Sequence, residues 1–167
     1  MKLNIRKYIN DYYEFWFALN CQYEHWARGK GLTFNSLLVL DTIAEHVEKG
    51  AKCTQKLICE RLFLPKQTVG TILDSFEKKG YLERVTVPED RRNKSVLLTE
   101  AGRKWADEIL EELYRTEREA LLGMTEEQRA AMLDTSRLFL GNFTHAVRSR
   151  ACCAETTAAD GEEEASC

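Results

Sequence analysis

No stretch of this sequence is apolar enough to cross a bilayer as a helix. The uncharged run Gly31–Leu40 has ten residues and none is longer, whereas a spanning helix needs about twenty apolar residues. The amino terminus, Met1 to Lys7, leads into aromatic residues mixed with Asp11 and Glu14. It lacks the apolar centre and small-residue cleavage site of a secretory signal. A cytoplasmic location is therefore expected, with no membrane partner. In that compartment Cys21, Cys53, Cys59, Cys152, Cys153 and Cys167 are expected as thiols, not as a disulfide framework. Catalytic signatures are missing as well. There is no glycine-rich phosphate loop, no His-Glu-x-x-His and no nucleophile elbow, so no enzyme and no cofactor is expected. No internal repeat appears. Proline is scarce, and the first, Pro65, arrives only after three expected helices.

A strong net charge is also absent. The 167 residues sum to −3, which by itself gives no sign of a nucleic-acid partner. The distribution says more. Residues 61–104 carry ten Lys or Arg against six Asp or Glu, a local +4, which leaves −7 for the remainder. One basic segment in an acidic body confines the positive field to one place. Hydrophobic residues make up 44% of the chain, enough for one domain with a core.

Spacing predicts a mainly α fold with one small β-hairpin. Residues 5–28 read as a helix, with Tyr8, Tyr12, Phe15, Leu19, Gln22 and Trp26 at intervals of three and four. A second face of that helix, Ile9, Tyr13 and Trp16, is apolar too, so the helix needs two partners: its own domain and a second subunit. Thr33 is expected to cap a buried helix carrying Leu37, Leu40 and Ile43, and Thr54 a short helix to Leu62. Phe63-Leu64 makes a tight connection. Pro65 is placed in the first turn of the next helix, whose Val69, Ile72, Leu73 and Phe76 form one apolar stripe up to Gly80. Tyr81–Val87 and Lys94–Leu98 alternate as strands around the polar link 88–93. Thr99 begins a long helix with Trp105, Ile109, Leu110 and Leu113. Thr125-Glu-Glu-Gln128 is a capping box for a last helix. After Arg150 the chain turns to alanine, cysteine and acidic residues, and 151–167 is expected to be a disordered tail.

Two short helices, a tight turn and a hairpin make a winged helix-turn-helix over residues 33–99. If the 65–79 helix buries its stripe, Lys66, Gln67, Thr68 and Thr71 face outwards. Their lengths and hydrogen-bonding groups suit base edges and phosphates in a major groove of double-stranded DNA. Gly70 between them would let backbone approach closely. The hairpin carries Arg91, Arg92 and Lys94, with Arg84 on its first strand. An arginine on a thin hairpin fits a narrow minor groove, where the potential is most negative. Asp90 is expected to pair with an arginine and set its direction.

Leu32-Thr33, Leu57-Ile-Cys-Glu-Arg-Leu62, Thr68-Val69, Leu73, Phe76-Glu-Lys-Lys-Gly-Tyr-Leu82, Asp90-Arg-Arg92 and Leu98-Thr-Glu-Ala-Gly102, in this order, resemble the MarR family of bacterial transcriptional regulators. The resemblance covers about residues 5–148. It implies a single domain over 1–150 that works as a homodimer on a pseudo-palindromic operator, most often as a repressor. Helices 5–30 and 100–148 would form the dimerisation part. It also implies a response to a small aromatic ligand, an oxidant or a metal. Two positions depart from the family pattern: Pro65 replaces a small polar residue and Gly70 a threonine or serine. These are expected to change which operator is read.

Other readings stay open at this point. The aromatic residues Tyr8, Tyr12, Tyr13, Trp16 and Trp26 are dimer interface, core or the lining of an effector cavity. Cys21 lies on the helix where peroxide-sensing relatives place a reactive cysteine, yet Trp16 holds that cysteine's usual place. Cys21 and His25 at i, i+4, with Glu24 beside them and His46 on the next helix, are weak candidates for a metal site. A redox- or metal-responsive regulator sensing through Cys21 and His25 is one alternative. A winged-helix protein-interaction module that never touches DNA is the other.

Overall fold

A computed structural model describes residues 4–87 and 90–159, with the side chains of residues 87, 90–93 and 151–159 outside the description. The elements run α1 (Ile5–Gly29), α2 (Phe34–Glu48), α3 (Gln55–Leu62), α4 (Lys66–Lys78), β1 (Leu82–Val87), β2 (Asp90–Leu98), α5 (Glu100–Leu122) and α6 (Glu126–Ala159). They form two compact units, one through Tyr114 and one from Arg115.

Local chemistry places the helix starts. Asn4 Oδ1 accepts from Lys7 N at 3.2 Å, Thr33 Oγ1 from Ser36 N at 3.2 Å and Thr54 Oγ1 from Leu57 N at 3.2 Å. Each side chain satisfies one of the amide groups that a helix start leaves unpaired. The capping box forms in both directions: Thr125 N donates to Gln128 Oε1 at 2.9 Å and Gln128 N to Thr125 Oγ1 at 3.2 Å. A longer-range cap joins them. Glu24 on α1 accepts from Phe34 N at 2.7 Å, putting a carboxylate at the start of α2.

The first unit holds a continuous core. Leu37, Leu40 and Ile43 of α2, Ile58 of α3, Val69, Leu73 and Phe76 of α4, Leu82 of β1, Val96 and Leu98 of β2, and Ala106, Ile109 and Leu110 of α5 are all buried. Trp105 stacks on Tyr81 with centroids 4.2 Å apart and meets Phe76 edge-on at 5.2 Å. Lys30 Nζ reaches Glu112 at 2.6 Å, and the Tyr114 hydroxyl donates to Asp41.

The strands β1 and β2 pair antiparallel from Leu82↔Leu98 to Val87↔Asp90, with a register shift between Val85 and Val87. The second strand therefore begins at Asp90, not at Lys94, and the six-residue link expected over 88–93 shortens to Pro88-Glu89, which lies outside the described residues. The hairpin also has a third contributor. Thr54 bridges Ser95, and Val96 N donates to the Cys53 carbonyl at 2.9 Å. These bonds tie the base of the hairpin to the chain entering α3.

The last two turns of α1 pack against the rest of the first unit. There Ala27 is buried, and Tyr23 stacks on Phe34 at 5.2 Å. Both apolar faces of the earlier turns are exposed, from Tyr8 to Leu19. In the second unit α6 likewise exposes Leu133, Phe139, Leu140 and Phe143. Its backbone helix runs on to Ala159, into the segment expected as a disordered tail. Neither proline nor glycine occurs between Arg150 and Ala159, and the alanines there are strong helix formers. Residues 160–167 lie outside the description. No helix among the described residues is long and apolar enough to cross a membrane.

Candidate nucleic-acid interface

The connection from α3 to α4 sets the direction of α4. Phe63 ends α3 in the left-handed region, at φ 53°. Leu64 turns inward to the core while Phe63 stays outside. Pro65 stands one residue before α4, as its N-cap, with ψ at 143°. It thus precedes the first turn, where the sequence predicts it within that turn. Its extended ψ and missing N–H suit the capping position, and no side-chain cap is made there.

The buried stripe on α4 is Val69, Ile72, Leu73 and Phe76, as its spacing requires. Lys66, Gln67 and Thr71 are then exposed, and Thr68 is half-buried. Thr71 Oγ1 donates to the Gln67 carbonyl at 3.0 Å, so its remaining hydrogen-bonding capacity is as an acceptor. Gly70 also has a neighbour on α3. A Cβ there would come within 3.2 Å of Gln55 Nε2, which donates to the Lys66 carbonyl at 2.8 Å. The missing side chain makes room for the α3 glutamine that braces the first turn of α4.

Arg84 does not stand free on the hairpin. Its side chain is 18% exposed, and its guanidinium pairs with Asp74 and, at 3.3 Å, with Glu77. Both carboxylates lie on α4, three residues apart. Arg84 Nε is buried with no hydrogen-bond partner among the described residues. The pair joins the hairpin to α4. Lys94 is exposed on β2. The backbone of Asp90, Arg91 and Arg92 belongs to β2. Their side chains, and with them the expected pairing of Asp90, lie outside the described residues.

The five aromatic candidates separate. Tyr8, Tyr12, Tyr13 and Trp16 are exposed on α1, with Tyr13 stacked on Phe17 at 6.0 Å and Trp16 edge-on to Phe17 at 5.3 Å. Trp26 is instead half-buried against the core, with Lys30 Nζ 5.5 Å from its ring centre.

Two of the metal candidates have other engagements. Glu24 binds Phe34 N and Arg28, and the backbone hydrogen bond above all holds its carboxyl below the ordinary value. His46 Nδ1 lies 2.7 Å from the Thr42 carbonyl. Cys21 and His25 are exposed on α1. No group of three or more His, Cys, Asp or Glu side chains able to hold a metal occurs among the described residues. Burial pushes the Cys53 thiol up to about 11.

Four features of this surface escape sequence reasoning: the Arg84 bridge, the Gln55 brace, the Thr54–Ser95 bridge and the exposure of Phe63. Asp74 and Glu77 at i, i+3 announce an acidic edge on α4, but nothing local identifies its cation.

Residues 30–93 match the model of the MarR family. The HTH-type transcriptional regulator SarZ of Staphylococcus haemolyticus is 35% identical over 81 residues, which cover 48% of this chain and 52% of SarZ. This chain thus spans about half the length of the curated relatives it matches. Among solved structures, NMB1585, a MarR family regulator from Neisseria meningitidis, is 26% identical with a TM-score of 0.65, over 84% of this chain and 96% of that one. The S. aureus MepR-DNA complex superposes with a TM-score of 0.68 at 21% identity, over 78% of this chain and 97% of MepR, a likeness of fold. With the helix-turn-helix, the hairpin and the flanking helices in this order, the chain is similar to MarR family regulators, and residues 30–93 carry the family match.

Proposed function

We propose that this protein is a cytoplasmic transcriptional regulator that binds double-stranded DNA sequence-specifically as a homodimer and acts as a repressor. The observation that carries the reading is α4. It buries one apolar stripe and presents Lys66, Gln67 and Thr71 on its outer side, while Arg84 holds the hairpin to the same helix. A helix presented this way enters a major groove with its first turns at the base edges, and the hairpin reaches the adjacent backbone or minor groove. MepR, a chain of the same fold, is known as a DNA complex, which supports this assignment.

The bare faces of α1 and α6 support the homodimer. Aromatic and aliphatic surface on this scale is rarely left in water. Two copies would place two α4 helices on half-sites about one helical turn apart. The exposed rings of Tyr8, Tyr12, Tyr13 and Trp16 support a small aromatic effector. An effector that favours one spacing of the two lobes needs a coupling of only about 1–3 kcal/mol to change occupancy.

The test is a binding titration of the full chain on the DNA upstream of its own gene and on a scrambled duplex, across a salt series. Tight, selective binding that weakens steeply with salt is expected. Arg91→Glu with Arg92→Glu should lower both affinity and salt slope. Weak binding, equal on both duplexes and unmoved by these charge reversals, refutes the reading.

A further inference from the structure

Among the described residues of the first unit, Phe63 is the most exposed large hydrophobic one, at 92%. It is also the one residue other than glycine with positive φ among those described. Each property is unfavourable. Left-handed backbone is strained for a bulky residue, and a phenyl ring in water gains nothing from burial. Glycine would remove the strain without cost at a position like this. The ring also contributes nothing to the core, since the neighbouring Leu64 takes the inward place.

Its position suggests a use. Phe63 lies three residues before Lys66, the first residue of α4, in the turn leading to that helix. The N-terminal end of such a helix meets base edges in the major groove. The groove offers one apolar feature, the 5-methyl group of thymine, and phenylalanine is among the side chains that contact it. We propose that Phe63 is a specificity-determining residue that packs against a thymine methyl at the edge of each half-site. This inference rests on the DNA-binding role proposed above. Gln67 would supply a polar base contact beside it and Lys66 a phosphate contact. The left-handed turn would hold the ring forward, prepaying the order that a flexible side chain loses on binding.

The test uses the full chain. Wild-type protein first enriches a duplex from a random-sequence pool. Each thymine in that duplex is then replaced, one at a time, by uracil, which removes only the methyl group. Wild type should lose about four-fold in affinity at one position per half-site, the worth of one buried methyl group. Phe63→Ala should bind the parent duplex roughly ten- to hundred-fold more weakly and be indifferent to uracil at that position. Phe63→Gly should behave alike on DNA while melting no lower than wild type, because glycine is at ease at this φ. Wild-type affinity in both variants, or a uracil effect that persists without the ring, overturns the inference and leaves the DNA-binding role standing. A wild-type chain that enriches no sequence overturns both.

Discussion

The Arg84 guanidinium on β1 is paired with the Asp74 carboxylate on α4, so the hairpin and the helix proposed to read DNA share a charged joint. Glu77 joins from the next turn at 3.3 Å. Arg84→Met keeps the length and removes the pair. Its partners are substantially exposed, so the loss should be about 1 kcal/mol, a fall in Tm of ~2–4 °C. Specific affinity should drop towards non-specific affinity while the salt slope stays put. A lowered slope with unchanged Tm would instead place Arg84 on the phosphates.

Lys66 is the contrasting case. It is exposed at the start of α4, and its ammonium group makes no ion pair or hydrogen bond among the described residues. Lys66→Ala should leave Tm unchanged and weaken binding to all duplexes alike. The slope of log K against log salt should flatten by about two, one lost phosphate contact per protomer of the proposed homodimer. Titrations at four or more salt concentrations measure it.

Gly102 has no room for a side chain. A Cβ there would lie 1.7 Å from the Tyr81 carbonyl oxygen, which already accepts from Thr99 N at 3.1 Å. Thr99 Oγ1 in turn donates to the Gly80 carbonyl at 2.7 Å and accepts from Gly102 N at 3.0 Å. The clash is with backbone, so neither rotamer change nor side-chain motion relieves it. Gly102→Ala should cost roughly 3 kcal/mol or more, read as a lower urea midpoint at unchanged m-value.

Acid should loosen the joints between α1, α2 and α3. The Phe34 amide and then Arg28 hold Glu24 below its ordinary 4.5. Lys49 first, and then Arg61, do the same for Glu45. A carboxyl whose folded pKa is depressed stabilises the fold above its unfolded value, and this stabilisation fades as pH falls through the folded value. Tm should therefore be flat near neutrality and decline below about pH 4.5. Glu24→Gln should decline less steeply. An identical acid profile for both proteins would count against this role for Glu24.

The cysteines should separate in a labelling experiment. Cys53 is 1% exposed with its thiol pushed up to about 11, and the thiolate is the reactive form. Cys21 is exposed. Brief alkylation at neutral pH followed by peptide mass spectrometry should find Cys21 modified and Cys53 protected until denaturant is added. Early labelling of Cys53 would reveal local opening around β2.

The sequence by itself determined what depends on near neighbours. Threonine three residues before an amide that needs an acceptor makes the caps at Thr33 and Thr54. A four-residue reciprocal pattern makes the box at Thr125 and Gln128. The spacing of Val69, Ile72, Leu73 and Phe76 decides which face of α4 is buried, and therefore that Lys66, Gln67 and Thr71 are left outside. These are consequences of helical period and short-range hydrogen bonding, and they were legible. Tertiary structure alone decided which charge met which. Arg84 reads as one more basic residue of a basic segment until the hairpin folds back beside α4 and gives it Asp74 and Glu77. Gly70 reads only as a backbone window until Gln55 of α3 takes a place beside it. Glu24 reads as a possible metal ligand until α2 brings the Phe34 amide to it. Trp26 reads as one of a cluster until the core claims it and leaves Tyr8, Tyr12, Tyr13 and Trp16 outside. A side chain's reach and charge are written locally, but its partner depends on how separate elements pack, and no local period encodes that.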